Sequence, residues 1–356
     1  MERMPAAVNV GLVGCGVIAQ AVHLPTLSRL SGVRVGALAD PDVRRLDHAR
    51  RLAPDAEAYG DYRELLQRSE VQAVVVTLPP ALHAEAGIAV LTAAKHLYLE
   101  KPIATELAAA DRLLATGRRR PLCAMIGFNY RFHPLHVDAR RELRQGRIGE
   151  PVAARSIFSG GCGTPPEWKR TRPTGGGALL DLGAHHFDLL PYLLGAPVRE
   201  VQASIRAVAT EDDCAAVTMR LDNGVVVQSL FQLGLPAEDR IEVYGRAGTL
   251  VVDRLRSLHV EIAEDTATAS RFGRLGRVVT QTLRGPLLRV DALAPAREPS
   301  YEPALRYFVD CIRTGRQPRP SLWHGRSSLA IVLAAEESAR SGRSIVLPEV
   351  RDADPA

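Results

Sequence analysis

A chain of 356 residues that is 46% hydrophobic and 24% charged has room for two domains with a core each. That composition excludes the disordered, collagen-like and disulfide-scaffold classes. The formal charge of +5 is scattered in short clusters such as Arg118-Arg119-Arg120, so no nucleic-acid partner is expected, and an anionic cofactor or substrate accounts for the basic balance equally well.

Arg3 precedes a short apolar stretch, as in a weak signal peptide, but Asn9 and a glycine loop interrupt it; the segment reads as a folded strand. Residues 8–13 (VNVGLV), 33–40 (VRVGALAD), 73–78 (AVVVTL), 96–100 (HLYLE) and 122–127 (LCAMIG) are short, nearly continuous apolar runs. Segments 42–52, 81–94 and 104–116 between them carry helical spacing. Alternation of this kind predicts βαβ units around a parallel sheet buried on both faces. A helix is expected over roughly 178–194. Strand-like runs follow one another from about residue 150, joined by turn signals such as Asp222-Asn223-Gly224, which predicts a largely antiparallel sheet. Residues 254–300 are basic and irregular, fitting a lobe or a flexible loop, and helical patterns at 302–314 and 325–341 close the chain. The expected fold is α/β: a dinucleotide-binding domain over 1–127 and a second α/β domain with a large, mostly antiparallel open sheet over 128–356. The five cysteines, at 15, 123, 162, 214 and 311, form no Cys-x-x-Cys pair. That argues against a disulfide framework or a metal site and for a reducing cytoplasm. No apolar run approaches the about 18 residues a membrane helix needs, so no membrane partner is expected.

Three stretches carry chemistry. The loop Gly14-x-Gly16-x-x-Ala19 directly follows the first strand. A first glycine allows the tight turn, a second lets backbone approach a pyrophosphate, and a small third residue lets helix and strand pack closely, with the helix N-terminus facing the anion. Gly14, Gly16, Val17 and Ile18 are therefore cofactor candidates. Asp40 ends the second strand, where a carboxylate accepts from ribose hydroxyls and repels a 2′-phosphate; this favours NAD. Arg44 and Arg45 could approach a phosphate, which keeps NADP open, although a solvated helix face is the commoner use of such residues.

The second stretch is Leu99-Glu100-Lys101-Pro102. Only three of the 45 basic residues are lysines, at 95, 101 and 169. An arginine stays charged, whereas an ammonium can lose its proton when desolvated. A surface lysine is the commoner case on residue type alone, but Lys101 follows a strand's C-terminal end, where open α/β sheets bind ligands. The third stretch is Gly175–Leu190 (GGGALLDLGAHHFDLL). On an α-helix Asp181 and His185 share a face, so the carboxylate would orient the imidazole and raise its basicity, while His186 falls on another stripe and reads as a packing residue. Three consecutive glycines suggest a close backbone approach just before that helix.

Together these motifs, with VTLPPALHAE and GFNYRFHP, make the chain resemble the Gfo/Idh/MocA oxidoreductases from residue 8 to about 347. One departure is Ala94, where the family usually has Gly, which should affect a turn. The resemblance implies a Rossmann domain, a second sheet that forms homodimers or homotetramers, and an NAD(P)-dependent dehydrogenase of a sugar, sugar nucleotide or cyclitol. It implies Lys101, Asp181 and His185 as catalytic residues. Thr77, Pro79, His83 and Glu100 would line the cofactor beside Lys101, and Asn129 and Arg131 would lie near the domain junction, with Arg131 toward the substrate. Trp168, Lys169 and Arg172, just before the glycines, read as a grip on an anionic, nucleotide-activated substrate; a solvated loop is the plainer reading. Two other classes fit the same motifs: an NAD-dependent glycoside hydrolase and a non-catalytic NAD sensor.

Overall fold

The structure, a computed structural model, describes residues 7–160, 166–264 and 298–349. Six strands come first: β1 Val8–Val13, β2 Val33–Ala39, β3 Glu57–Tyr59, β4 Ala73–Val76, β5 His96–Leu99 and β6 Ala124–Ile126. They pair in the order β3-β2-β1-β4-β5-β6, every neighbour parallel. Strand order reverses between β1 and β4, so the binding crevice lies at their C-terminal ends. The central strands read as continuous apolar runs because helices cover both faces: all four residues of β4 are buried. The helices are α1 Leu24–Leu27, α2 Val43–Leu52, α3 Tyr62–Leu66, α4 His83–Thr92 and α5 Leu107–Arg118. Asp42 caps α2 by accepting from the backbone N–H groups of Arg44 and Arg45, and Asp61 caps α3. The short β3 and α3, absent from the sequence reading, are too brief to show a period.

An unanticipated helix, α6 Pro134–Arg144, leads into β7 Pro151–Gly160; α7 Ala184–Leu194 follows. Then come β8 Val198–Arg206, β9 Cys214–Leu221, β10 Val226–Leu233, β11 Glu238–Gly245, β12 Gly248–Asp253 and β13 Glu261–Glu264. Helices α8 Tyr301–Thr314 and α9 Leu322–Ser341 precede the closing strand β14 Ile345–Val346. The second sheet runs β13-β12-β11-β7-β10-β9-β8-β14. Only β7 and β10 pair in parallel; the rest are antiparallel, as the sequence predicted. Its burial alternates along β9, one face packed and one open. Of the expected lobe at 254–300, residues 265–297 lie outside the described residues.

A cut at 127 separates the two sheets but not the cores. Ala304, Leu305, Phe308 and Val309 of α8 join Val8, Val10, Leu12 and Tyr98 in one buried cluster. The late helix thus closes one face of the first sheet. Helix α9 packs on α5, α7 and β8, tying both halves into a second continuous core.

Candidate active site

The glycine loop is built by its neighbours. Gly14 has φ +91°, and a Cβ there would stand 2.9 Å from the backbone of Thr77 and Leu78; only glycine fits. The Thr77 hydroxyl donates to the Gly14 carbonyl at 2.5 Å. Asp40 is buried, its Oδ2 accepting from Cys15 N at 2.7 Å and its Oδ1 from Asp42 N at 2.8 Å. It therefore holds the loop, and any ribose contact must use its remaining lone pairs. A Cβ added at Gly16 would meet nothing within 4 Å, and Val17 is 86% exposed, so this backbone faces open space where a pyrophosphate could approach. Ile18 is half-buried beside it. These residues fit a bound dinucleotide. Arg45 lies on the exposed face of α2 in a 3.3 Å pair with Asp42.

Three expected cofactor-lining side chains turn inward instead. Thr77 serves the loop as described. Glu100 is buried, 2.7 Å from His23 Nε2, and accepts from the Lys101 N–H at 3.2 Å. His83 is buried between the carbonyls of Pro102 and Leu78, each 2.6 Å from a ring nitrogen, and burial lowers its pKa. Both fix the chain on either side of Lys101; they shape the groove from behind. Pro79 is half-buried, at the entrance to the turn before α4.

Lys101 reaches across the crevice. Its Nζ donates to the Asp181 carbonyl at 2.7 Å and to Asp181 Oδ1 at 3.2 Å. Lys169 donates to the other oxygen, Oδ2, at 2.6 Å. Burial alone would raise the Asp181 carboxyl, but the two ammoniums outweigh it and hold its pKa at about 2. The glycine run makes this possible: a Cβ on Gly176 would fall 2.3 Å from the Lys169 carbonyl, so only glycine lets the 167–174 loop fold back on it.

The expected Asp181–His185 pair is not formed. Residues Leu179–Gly183 make a π-helical turn, with Ala184 N bonded to the Leu179 carbonyl. The wider turn breaks the i,i+4 alignment that an α-helix would give. Asp181 faces the lysines, while His185 stacks on Tyr130 with ring centroids 4.2 Å apart at 17°. His185 Nδ1 is buried without a partner, which makes Nε2 the candidate nitrogen for proton exchange. Burial, then the charge of Lys101, pushes the His185 pKa well below 6.5, so the imidazole is neutral. His186 is a packing residue as expected, fully buried 3.2 Å from Asp239.

Two substrate expectations are corrected. Arg131 is buried in a bidentate pair with Asp188, at 2.7 and 2.6 Å; it clamps the 129–132 turn to α7. Arg172 forms a similar fork on Glu336, at 2.5 and 3.1 Å, which engages the geometry a phosphate would need. Trp168 is half-buried with Lys169 Nζ 5.3 Å from its ring. Asn129 donates to Ser300 Oγ at 2.7 Å. Sequence reasoning missed Tyr130, although it stands between Asn129 and Arg131. It also missed Arg254, one arginine among many, whose guanidinium lies 4.4 Å from the Tyr130 ring centre.

The profile of the "Oxidoreductase family, NAD-binding Rossmann fold" matches residues 8–128, and that of the "GFO/IDH/MocA C-terminal domain" matches 136–251. Myo-inositol 2-dehydrogenase of Thermotoga maritima is 27% identical over 351 residues, covering 96% of this chain and 99% of that protein. The dTDP-3,4-didehydro-2,6-dideoxy-alpha-D-glucose 3-reductase of Actinomadura kijaniata is 34% identical over 258 residues, 70% of this chain and 75% of that one. A levoglucosan dehydrogenase solved with NADH and levoglucosan shares the fold, with a TM-score of 0.85 at 21% identity, covering 97% of this chain and 100% of that one. The chain belongs to the GFO/IDH/MocA family of oxidoreductases, with NAD as the cofactor of its first domain.

Proposed function

We propose that the protein interconverts a secondary alcohol and a ketone on a free sugar or cyclitol, with Lys101, Asp181 and His185 as its catalytic residues. The observation that carries this reading is the Lys101–Asp181–Lys169 cluster at the C-terminal end of β5, beside a neutral histidine. When bound, NAD takes or returns the hydride. His185 Nε2 accepts the hydroxyl proton. Lys101 donates to the reacting oxygen, and the two ammoniums around one carboxylate leave a net positive site that favours a developing alkoxide. Asp181, ionised down to a pKa of about 2, fixes the lysines. A free polyol is favoured because Arg172 and Lys169 are engaged within the protein. The identity to the dTDP-sugar reductase supports a second reading, a nucleotide-activated substrate.

The test is NADH absorbance with inositols, monosaccharides, anhydrosugars and dTDP- or UDP-sugars. Turnover of a free polyol, not inhibited by UDP or TDP, is expected. Turnover of sugar nucleotides alone would overturn the substrate class. Glycoside cleavage without NADH accumulation would overturn the net reaction.

We also place a homodimer or tetramer contact on the open face of the second sheet. A shallow groove of about 450 Å³ there is lined by Arg155, Gln202, Ser204, Ala216, Thr218 and Gln228. Light scattering on a chromatographed sample would read the mass, and a monomer would remove this assignment.

A further inference from the structure

His185 lacks the carboxylate that usually stands behind a catalytic imidazole. Among the described residues no hydrogen bond fixes its ring: Nδ1 is buried and unpartnered. Something else must hold the ring plane and keep Nε2 placed for proton exchange. The structure shows a column beneath it. The His185 ring stacks on Tyr130 at 4.2 Å. Tyr130 lies against the Arg254 guanidinium, 4.4 Å from its ring centre. Arg254 donates from Nε to Asp239 Oδ2 at 2.7 Å and from Nη1 to Glu298. Asp239 is also 3.2 Å from His186 Nε2, so the column returns to the residue next to His185. Every member is buried or nearly so: Tyr130 is 7% exposed, and the side chains of Arg254 and Asp239 are 11% and 1% exposed.

We propose that Tyr130 and Arg254 are positioning residues for His185, with the stacked ring and the guanidinium beneath it holding the imidazole in place and in its neutral, proton-accepting form. The inference rests on the reading of His185 as the base. A stack fixes a ring plane without engaging either nitrogen, so Nε2 stays free to take the proton and return it. A cation on the opposite face of Tyr130 opposes a second positive charge nearby.

The charged groups around His185 come from several elements. Lys101 follows β5, Lys169 sits in the 167–169 turn, and Arg254 follows β12. His186 adjoins it, Asp181 is on its own helical segment, and Asp239 and Glu298 partner Arg254. Burial is the largest influence, and Lys101, Arg254, His186 and Lys169 each push the pKa down in turn.

The test is the His185 imidazole titration, followed by NMR in the intact NAD-free protein and assigned with His185→Gln. It needs no substrate, so its outcome is independent of the proposed reaction. In the wild type the His185 midpoint should lie well below that of an ordinary histidine, because the ring is buried and faces Lys101 and Arg254. Tyr130→Leu removes the stack but leaves the Arg254 pairs, and should raise the midpoint by at least about one pH unit. Arg254→Met should move it the same way, and Arg254→Lys, which keeps the charge, should move it less. An unchanged His185 titration in folded Tyr130→Leu would overturn the proposal, whatever the fate of the arginine variants. With the polyol found by the screen, Tyr130→Leu should lower kcat about tenfold, shift the acid limb of the pH profile upward and leave the KM for NAD in place. A change confined to KM would equally count against it.

Discussion

Lys101 is one of three lysines, and the structure engages the ammonium of each within the protein. Lys95 Nζ donates to the backbone carbonyls of Arg68 and Val71 at 2.6 and 2.7 Å. Lys101 and Lys169 share Asp181. A compact, freely rotating ammonium and a planar guanidinium fork present their donors differently, so the two are not interchangeable at such a site. The sequence made Lys101 legible through its rarity and its place after a strand. It did not reveal that Lys169 belongs to the same cluster. Lys101→Ala and His185→Ala are each expected to lower turnover by at least ~10², the usual scale for a positioned acid–base group, with NADH affinity by fluorescence titration unchanged. Turnover within a few-fold of wild type in either variant would remove that residue from the mechanism.

Helix ends and turns carry a different kind of information. Ala94 replaces the glycine its family usually has, and the structure gives it φ +56° at the end of α4. A left-handed alanine is strained by roughly 1–2 kcal/mol, against which glycine's greater chain entropy is a smaller loss. Ala94→Gly is therefore expected to stabilise the protein by about 0.5–1 kcal/mol, read as a higher urea midpoint with an unchanged slope. The Arg131–Asp188 clamp joins the 129–132 turn to α7. Burial leaves the Asp188 carboxyl above its usual range despite the guanidinium, so the pair is poorly compensated. Asp188→Ala should cost about 3–5 kcal/mol by stranding Arg131, and Arg131→Met with Asp188→Leu should cost much less. A double variant as unstable as the single one would contradict this account. The clamp's halves were visible as motif residues, but not their partnership. The π-turn at Leu179–Gly183 was not visible, because an α-helical period and one inserted residue look alike over five positions.

Acid stability is set by many sites together. His83, His136, His185 and His324 are buried and held below the ordinary histidine range by desolvation, His136 at about 3 and His324 at about 2. Each binds its proton more readily when unfolded. Their contribution is therefore complete above about pH 6.5 and is lost as pH falls toward the folded values, at up to ~1.4 kcal/mol per pH unit for each. Asp181 and Asp239, both lowered to about 2, add a second loss only below about pH 4. Urea unfolding between pH 8 and 4.5 should show stability falling steeply from about pH 6. His136→Gln should flatten that slope by roughly one proton's worth. A midpoint independent of pH down to 4.5 would refute the assignment.

Periodicity and turn chemistry act over a few residues, so the sequence determined the strand–helix alternation of the first domain, the glycine loop after β1, the antiparallel texture of the second sheet and the family. It also determined which residue types were available for proton chemistry. The partnerships were decided only in three dimensions. Lys101 and Asp181 are 80 positions apart, Arg131 and Asp188 are 57 apart, and Asn129 and Ser300 are 171 apart. Helix α8 completes a core begun some 300 residues earlier. Whether a carboxylate turns to a histidine four residues on or to a lysine eighty residues back depends on the pitch of one helical turn and on which neighbours fill the space around it. Packing and burial choose between those outcomes, and no local pattern records the choice.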